Sequence, residues 1–196
     1  MFSKINEFQS KKNRSKIICL TAYSKNIAQI IDKHTDLILI GDSLGSVLYN
    51  FKSTRSVTLD MMIEHSKSAR QGISNSLMVV DMPYNTYNNP AQALKNCKKV
   101  MKLTKCDAVK LEGGLKIIKI VKLLVKNKIP VLGHLGILPQ FTKGKFKSKG
   151  KTEKEKKEII RDSKLLEEVG AFSIVLECVE KKLAKEITNS IKIPTI

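Results

Sequence analysis

Seven short apolar runs recur along the chain with helix-length segments between them, and this alternation limits the fold more than any other feature. The runs cover 17–23, 37–43, 77–83, 108–114, 130–136, 171–179 and the terminal 191–196. Between them, apolar residues fall at helical spacing. Ile27, Ile30 and Ile31 follow Ser24, an N-cap candidate. A helix over 58–72 opens on Thr58, with Asp60 in its first turn, where the helix dipole favours an acid. Asn89-Pro90 reads as a cap with proline at N1, and Ala93, Leu94, Cys97, Val100 and Met101 share the face behind it. Ile117, Ile120, Val121, Leu124 and Val125 make another such face, and a helix over about 153–169 is expected to stop at Gly170. Strands alternating with helices imply parallel βαβ units with right-handed crossovers, so the fold class is α/β. Seven strands suit a doubly wound sheet or most of a (β/α)8 barrel. No G-x-G-x-x-G follows the first strand, which counts against the dinucleotide-binding version. At 196 residues the chain is expected to form one domain over 1–196.

Composition narrows the class further. No apolar run reaches the ~18 residues that span a bilayer, and the N-terminus has no signal-like apolar core, so the cytoplasm is the expected location. The four cysteines form no C-x-x-C pair or zinc spacing and are expected to be reduced and mostly buried. The net charge of +18 raises a nucleic-acid reading, but lysine supplies nearly all of it. The only arginines are Arg14, Arg55, Arg70 and Arg161, and no nucleic-acid-binding motif accompanies them. Solvated lysine-rich faces are the simpler account, and the field would still favour anions in a cleft.

Polar residues gather at one end of the expected sheet. Asp42 and Ser43 follow the second strand and Asp81 ends the third. Lys110 and Glu112 end the fourth, His134 lies in the fifth, and Glu177 is in the sixth. In a parallel sheet these ends share one face, which carries the active site in barrels. One buried acid can be structural, but ionisable groups on five consecutive strands each cost desolvation and point to chemistry. Two Asp with a nearby Glu and no thiolate suit Mg²⁺. Lys110 and His134 offer donors for a carboxylate or enolate, and Glu177 remains as the base, its pKa expected to rise through burial beside other acids. The set fits proton abstraction next to a ketone.

The stretches "LTAYSKNIAQIIDKHTDLILIGDSLG", "TLDMMIEHSKSARQG", "VVDMPYNTY", "DAVKLEGG", "PVLGHLGILPQ" and "LLEEVGAFSIVLECV" resemble, in order and spacing, the ketopantoate hydroxymethyltransferase family. The resemblance implies a (β/α)8 barrel that transfers a hydroxymethyl group from 5,10-methylenetetrahydrofolate to 3-methyl-2-oxobutanoate in pantothenate biosynthesis. It implies Mg²⁺ and a homo-oligomer, a decamer of two pentameric rings. It assigns the metal to Asp42 and Asp81 with Glu112 beside it through water, the substrate to Asp42, Ser43, Asp81, Lys110 and His134, and removal of the C3 proton to Glu177. The chain departs from the family in "KGKFKSKG" (143–150), where Phe146 and Gly150 match but Ser148 and Lys149 replace a Val-Gln pair, and at Glu180, where proline is common. Residue 196 falls inside the expected seventh strand, so the barrel is expected to be incomplete.

Two other readings exist. Gly41-Asp42-Ser43-Leu44 also opens the GDSL serine esterases, but those need an Asp three residues before a His. Here His34, His65 and His134 are preceded by Ile31, Met62 and Val131. An inactive fragment, or a basic nucleic-acid-binding remnant, is the alternative from another class.

Overall fold

The computed structural model describes residues 2–142 and 144–196; Lys143, the first residue of the 143–150 stretch, lies outside them. Six strands form one sheet: β1 (Cys19–Thr21), β2 (Leu37–Ile40), β3 (Leu77–Asp81), β4 (Ala108–Glu112), β5 (Val131–Gly136) and β6 (Ser173–Glu177). All neighbours are parallel and the spatial order is the chain order, β1 to β6. Every crossover therefore advances in one direction, and with right-handed connections the sheet curls into an open part-barrel wrapped by helices. The helices are α1 (Phe2–Ser10), α2 (Lys25–Ile31), α3 (Leu44–Tyr49), α4 (Leu59–Arg70), α5 (Pro90–Thr104), α6 (Ile118–Lys126), α7 (Glu153–Glu168) and α8 (Lys181–Ser190). The expected α/β fold is thus present, and the last residues run where a seventh strand belongs. Ile174 N donates to Pro194 O at 3.2 Å, Ile196 N to Ile174 O at 3.0 Å, and Leu176 N to Ile196 O at 2.8 Å.

Strand alternation sorts the core into two parts. Ile38, Ile40, Met78, Val80, Val109, Leu111 and Ile174 face outward and pack under the helices. Leu37, Val79, Ala108 and Leu132 face inward and form a separate, smaller cluster. The period of two then carries Asp81, Lys110, Glu112 and His134 to the same inner side, one step toward the strand C-termini.

The helix ends follow the sequence in most places. Thr58 accepts from Met61 N at 3.2 Å, Asn89 from Gln92 N at 2.9 Å, and Thr152 from Glu155 N at 3.2 Å. Ser24 stands at its N-cap position without a side-chain bond. Gly170 takes a positive φ just past α7, as expected of a helix terminator. Glu180 caps α8, accepting from Lys182 N and Leu183 N, and its own N–H donates to Lys149 O at 2.9 Å, a bond proline could not make.

One element was not read from the sequence, and the cysteines differ in part from expectation. The polar-looking N-terminus forms α1, whose Ile5 and Phe8 enter the inner cluster, with Phe8 edge-on to Phe172 at 5.7 Å. All four cysteines are free, but only Cys97 and Cys106 are buried; Cys19 is half-buried and Cys178 is exposed, in a left-handed turn immediately after β6.

Candidate active site

The C-terminal strand ends line a cleft of about 710 Å³ that contains every residue singled out from sequence: Asp42, Ser43, Asp81, Lys110, Glu112, His134 and Glu177. Register explains the convergence. Asp81 pairs with Lys110 across β3–β4, Glu112 with His134 across β4–β5, and Gly136 with Glu177 across β5–β6. Close approach at two turns is secured by glycine. A Cβ on Gly41 would sit 2.8 Å from Ser43 Oγ, and one on Gly136, at φ +93°, would sit 2.1 Å from Glu177 O.

The acids crowd together. Asp42 N donates to Asp81 Oδ2 at 3.1 Å, and Lys110 Nζ donates to Asp81 Oδ1 at 2.5 Å. Burial, then the neighbouring Asp81 charge, pushes the Asp42 carboxyl up to about 7. Burial, with Asp42 and Asp81 adding to it against the pull of Lys110, pushes Glu112 up to about 8. Burial opposes the charge on Lys110, but Asp81, Glu112 and Asp42 outweigh it and raise its pKa, so the ammonium persists. Asp32 shows what a structural buried acid looks like. Burial works against its charge too, yet backbone N–H groups of Ser76, Ser74 and Asn75 prevail and lower its pKa. Asp42 and Glu112 have no such surplus of donors, so three acids outnumber the one lysine and these two carboxyls are driven toward protonation.

That excess suits a divalent cation. Among the described residues no three His, Cys, Asp or Glu side chains form a ready-made cage. Asp42 and Asp81 with Glu112 nearby fit a hard ion such as Mg²⁺, which binds through one or two carboxylates and takes its remaining ligands from water and substrate.

Glu177 differs from its neighbours. Its side chain is 38% exposed, and His134 Nε2 lies 3.2 Å from Oε2. The approach is too bent to complete a hydrogen bond, leaving both His134 ring nitrogens unpartnered; Nδ1 is 3.8 Å from Glu112 Oε1. The His134 N–H facing it still lowers the Glu177 pKa against the effect of burial. This corrects the expectation that burial would raise it: the strand end opens to the cleft, and its nearest polar neighbour is an imidazole rather than an acid. Burial, then Lys110, lowers the His134 pKa, so the ring is neutral. Ser43 is exposed at the mouth, where its hydroxyl shares a 2.8 Å hydrogen bond with Tyr23 OH.

Several residues were not singled out from sequence. Thr21, Lys52, Arg55 and Phe146 line the cleft, and Arg55 lies over the Tyr84 ring at 4.2 Å while donating to its hydroxyl. Gln140 and Tyr87 are buried behind the acids. Gln140 stands inside the stretch "PVLGHLGILPQ", but a glutamine after proline gives no sign that it is buried.

Comparison with known proteins agrees with this arrangement. The family model described as ketopantoate hydroxymethyltransferase matches residues 3–196. A 3-methyl-2-oxobutanoate hydroxymethyltransferase of Pelagibacter ubique (strain HTCC1062) is 67% identical over 196 residues, covering 100% of this chain and 76% of that protein. One of Anaplasma marginale (strain St. Maries) is 46% identical over 198 residues, covering 100% of this chain and 72% of its own length. Among solved structures, phosphonopyruvate hydrolase in complex with oxalate and Mg²⁺ superposes with a TM-score of 0.73 at 11% identity, covering 98% of this chain and 70% of that one. A 2,3-dimethylmalate lyase of the PEP mutase/isocitrate lyase superfamily gives 0.70 at 12%, with the same coverage. These two share the fold. The chain itself belongs to the ketopantoate hydroxymethyltransferase family.

Proposed function

We propose that this chain transfers a hydroxymethyl group from 5,10-methylenetetrahydrofolate to 3-methyl-2-oxobutanoate, forming ketopantoate for pantothenate biosynthesis. The observation that carries the reading is the pairing, in one cleft, of a buried acid cluster with an ionised, half-exposed carboxylate. Mg²⁺ held by Asp42 and Asp81, with Glu112 beside it through water, would supply Lewis-acid stabilisation of the enolate. Glu177, kept ionised by His134, accepts the C3 proton of the keto acid. Lys110 retains its proton and places positive charge where the enolate oxygen develops. The Ser43 hydroxyl donates to the substrate and His134 lines its site. The C3 carbanion then forms a C–C bond to the folate-borne methylene carbon, and water supplies the hydroxyl as the methylene C–N bond breaks and tetrahydrofolate leaves with a proton on its nitrogen. The basic wall of Lys52 and Arg55, and the net charge of +18, favour entry of anionic substrates.

Three further parts of the reading rest on chain length, composition and, for the assembly, family resemblance. The domain is one barrel unit over 1–196, the location is cytoplasmic, and the assembly is a homo-oligomer, the family decamer. The exposed apolar side chains of Ile27, Ile30, Val47 and Leu48 support association. No helix among the described residues is long and apolar enough to cross a membrane.

The test is isotope exchange. With Mg²⁺ and no folate, the protein is expected to exchange the C3 hydrogen of 3-methyl-2-oxobutanoate for deuterium, followed by NMR. Glu177→Gln is expected to bind the keto acid and lose the exchange; exchange at the parental rate would assign the base elsewhere.

A further inference from the structure

We propose that Gln140 is a positioning residue that locks the Asp42 carboxylate, and with it the Glu112 carboxylate, in the orientation that receives the cation. The inference rests on the reading of Asp42 as a cation ligand. Gln140 follows β5 and is 1% exposed. Its Nε2 donates to Asp42 Oδ2 at 2.8 Å and to Met82 O at 2.9 Å. Its Oε1 accepts from Tyr87 OH at 2.6 Å, and its backbone N–H donates to Glu112 Oε2 at 3.1 Å.

The direction of this network is fixed. The Tyr87 oxygen accepts from Glu112 N at 3.4 Å, so the phenol proton points at Gln140 Oε1. A flipped amide would set Oε1 against the Asp42 carboxylate and the Met82 carbonyl, and would turn two donors toward Tyr87. Both amide hydrogens are therefore committed, one of them to a single oxygen of Asp42. With Oδ2 held, the carboxylate cannot spin freely, and its other oxygen is the one left for a ligand. Because the same residue holds Glu112 through its backbone, the loop after β5 ties the ends of β2 and β4 to one point. A glutamine needed only to fill space would not require all its polar atoms to be spent on these groups.

Mn²⁺ binding, read by electron paramagnetic resonance of the free ion without substrates, tests this. Gln140→Met preserves length and removes the amide; it is expected to weaken Mn²⁺ binding by about 10–100-fold, the usual effect of deleting a partner of a ligating carboxylate. Tyr87→Phe keeps the ring and frees the amide to flip, and is expected to weaken binding in the same direction by less. A cooperative melt in each variant shows that folding is retained, and kcat of Gln140→Met is expected to recover at high Mg²⁺. Parental Mn²⁺ affinity in both variants, with binding lost in Asp42→Asn, would overturn the positioning role and leave the cation site standing. Unchanged affinity in Asp42→Asn would overturn the cation reading and this inference with it.

Discussion

His134 and Glu177 show how a single contact sets a role at the scale of one residue. A carboxylate beside other buried acids would be driven toward protonation, as Asp42 and Glu112 are. Glu177 escapes because its side chain opens to the cleft and faces an imidazole N–H. Its pKa is depressed from the ordinary carboxylate value of about 4.3, so the ionised form that the proposed mechanism needs is present above that range and is lost as pH falls through the lowered value. With Mg²⁺ saturating at every pH, so that proton competition at Asp42 and Glu112 does not intrude, C3 exchange is therefore expected to stay level from neutral pH into the acid range. Removing the ring N–H in His134→Leu leaves burial as the opposing influence and is expected to move the acid limb to higher pH. Identical acid limbs in the pH–rate profiles of parent and variant would show that His134 does not set the charge of Glu177.

At the scale of elements, α1 is the part whose importance the amino-acid pattern conceals. Its residues are mostly polar, yet Ile5 and Phe8 are buried in the inner core beneath the cleft, packed in one cluster with Leu37, Val79, Ala108 and Leu132. A helix this short is not stable by itself and is held by that packing. Phe8→Ala is expected to cost about 3–5 kcal/mol, the usual penalty for emptying a buried aromatic site, measured by denaturant unfolding. A loss below about 1 kcal/mol would mean that the inner core closes without this helix. The remaining alternation, α3 excepted, was by contrast legible: six of the seven apolar runs are strands, and the caps at Thr58 and Asn89 form as their residue types require.

For the whole molecule, the consequence of a sheet in chain order is that its two ends remain open unless further strands close them. Residues 194–196 begin to cover β6, whereas among the described residues nothing pairs with the outer side of β1. Leu20 on that edge is 44% exposed, and Ile27 and Ile30 of α2 lie exposed nearby. Free N–H and C=O groups beside apolar surface promote edge-to-edge pairing. Through these edges a polypeptide of residues 1–196 is expected to self-associate on size-exclusion chromatography. A monodisperse monomer with a sharp near-UV melt would show that the open edges are tolerated.

The sequence by itself determined the parallel α/β architecture and the face on which chemistry gathers. Period-two alternation in buried strands sends Asp81, Lys110, Glu112, His134 and Glu177 to one side whatever the loops do. Only the tertiary structure decided how those residues are charged and held. The pKa of Glu177, the cover provided by Phe8 and the grip of Gln140 on Asp42 depend on contacts between residues far apart in the chain; Gln140 and Asp42 are 98 positions apart. Such contacts leave no local periodicity or turn signal, because the physics that fixes them, desolvation and hydrogen-bond pairing, acts only once the elements have packed.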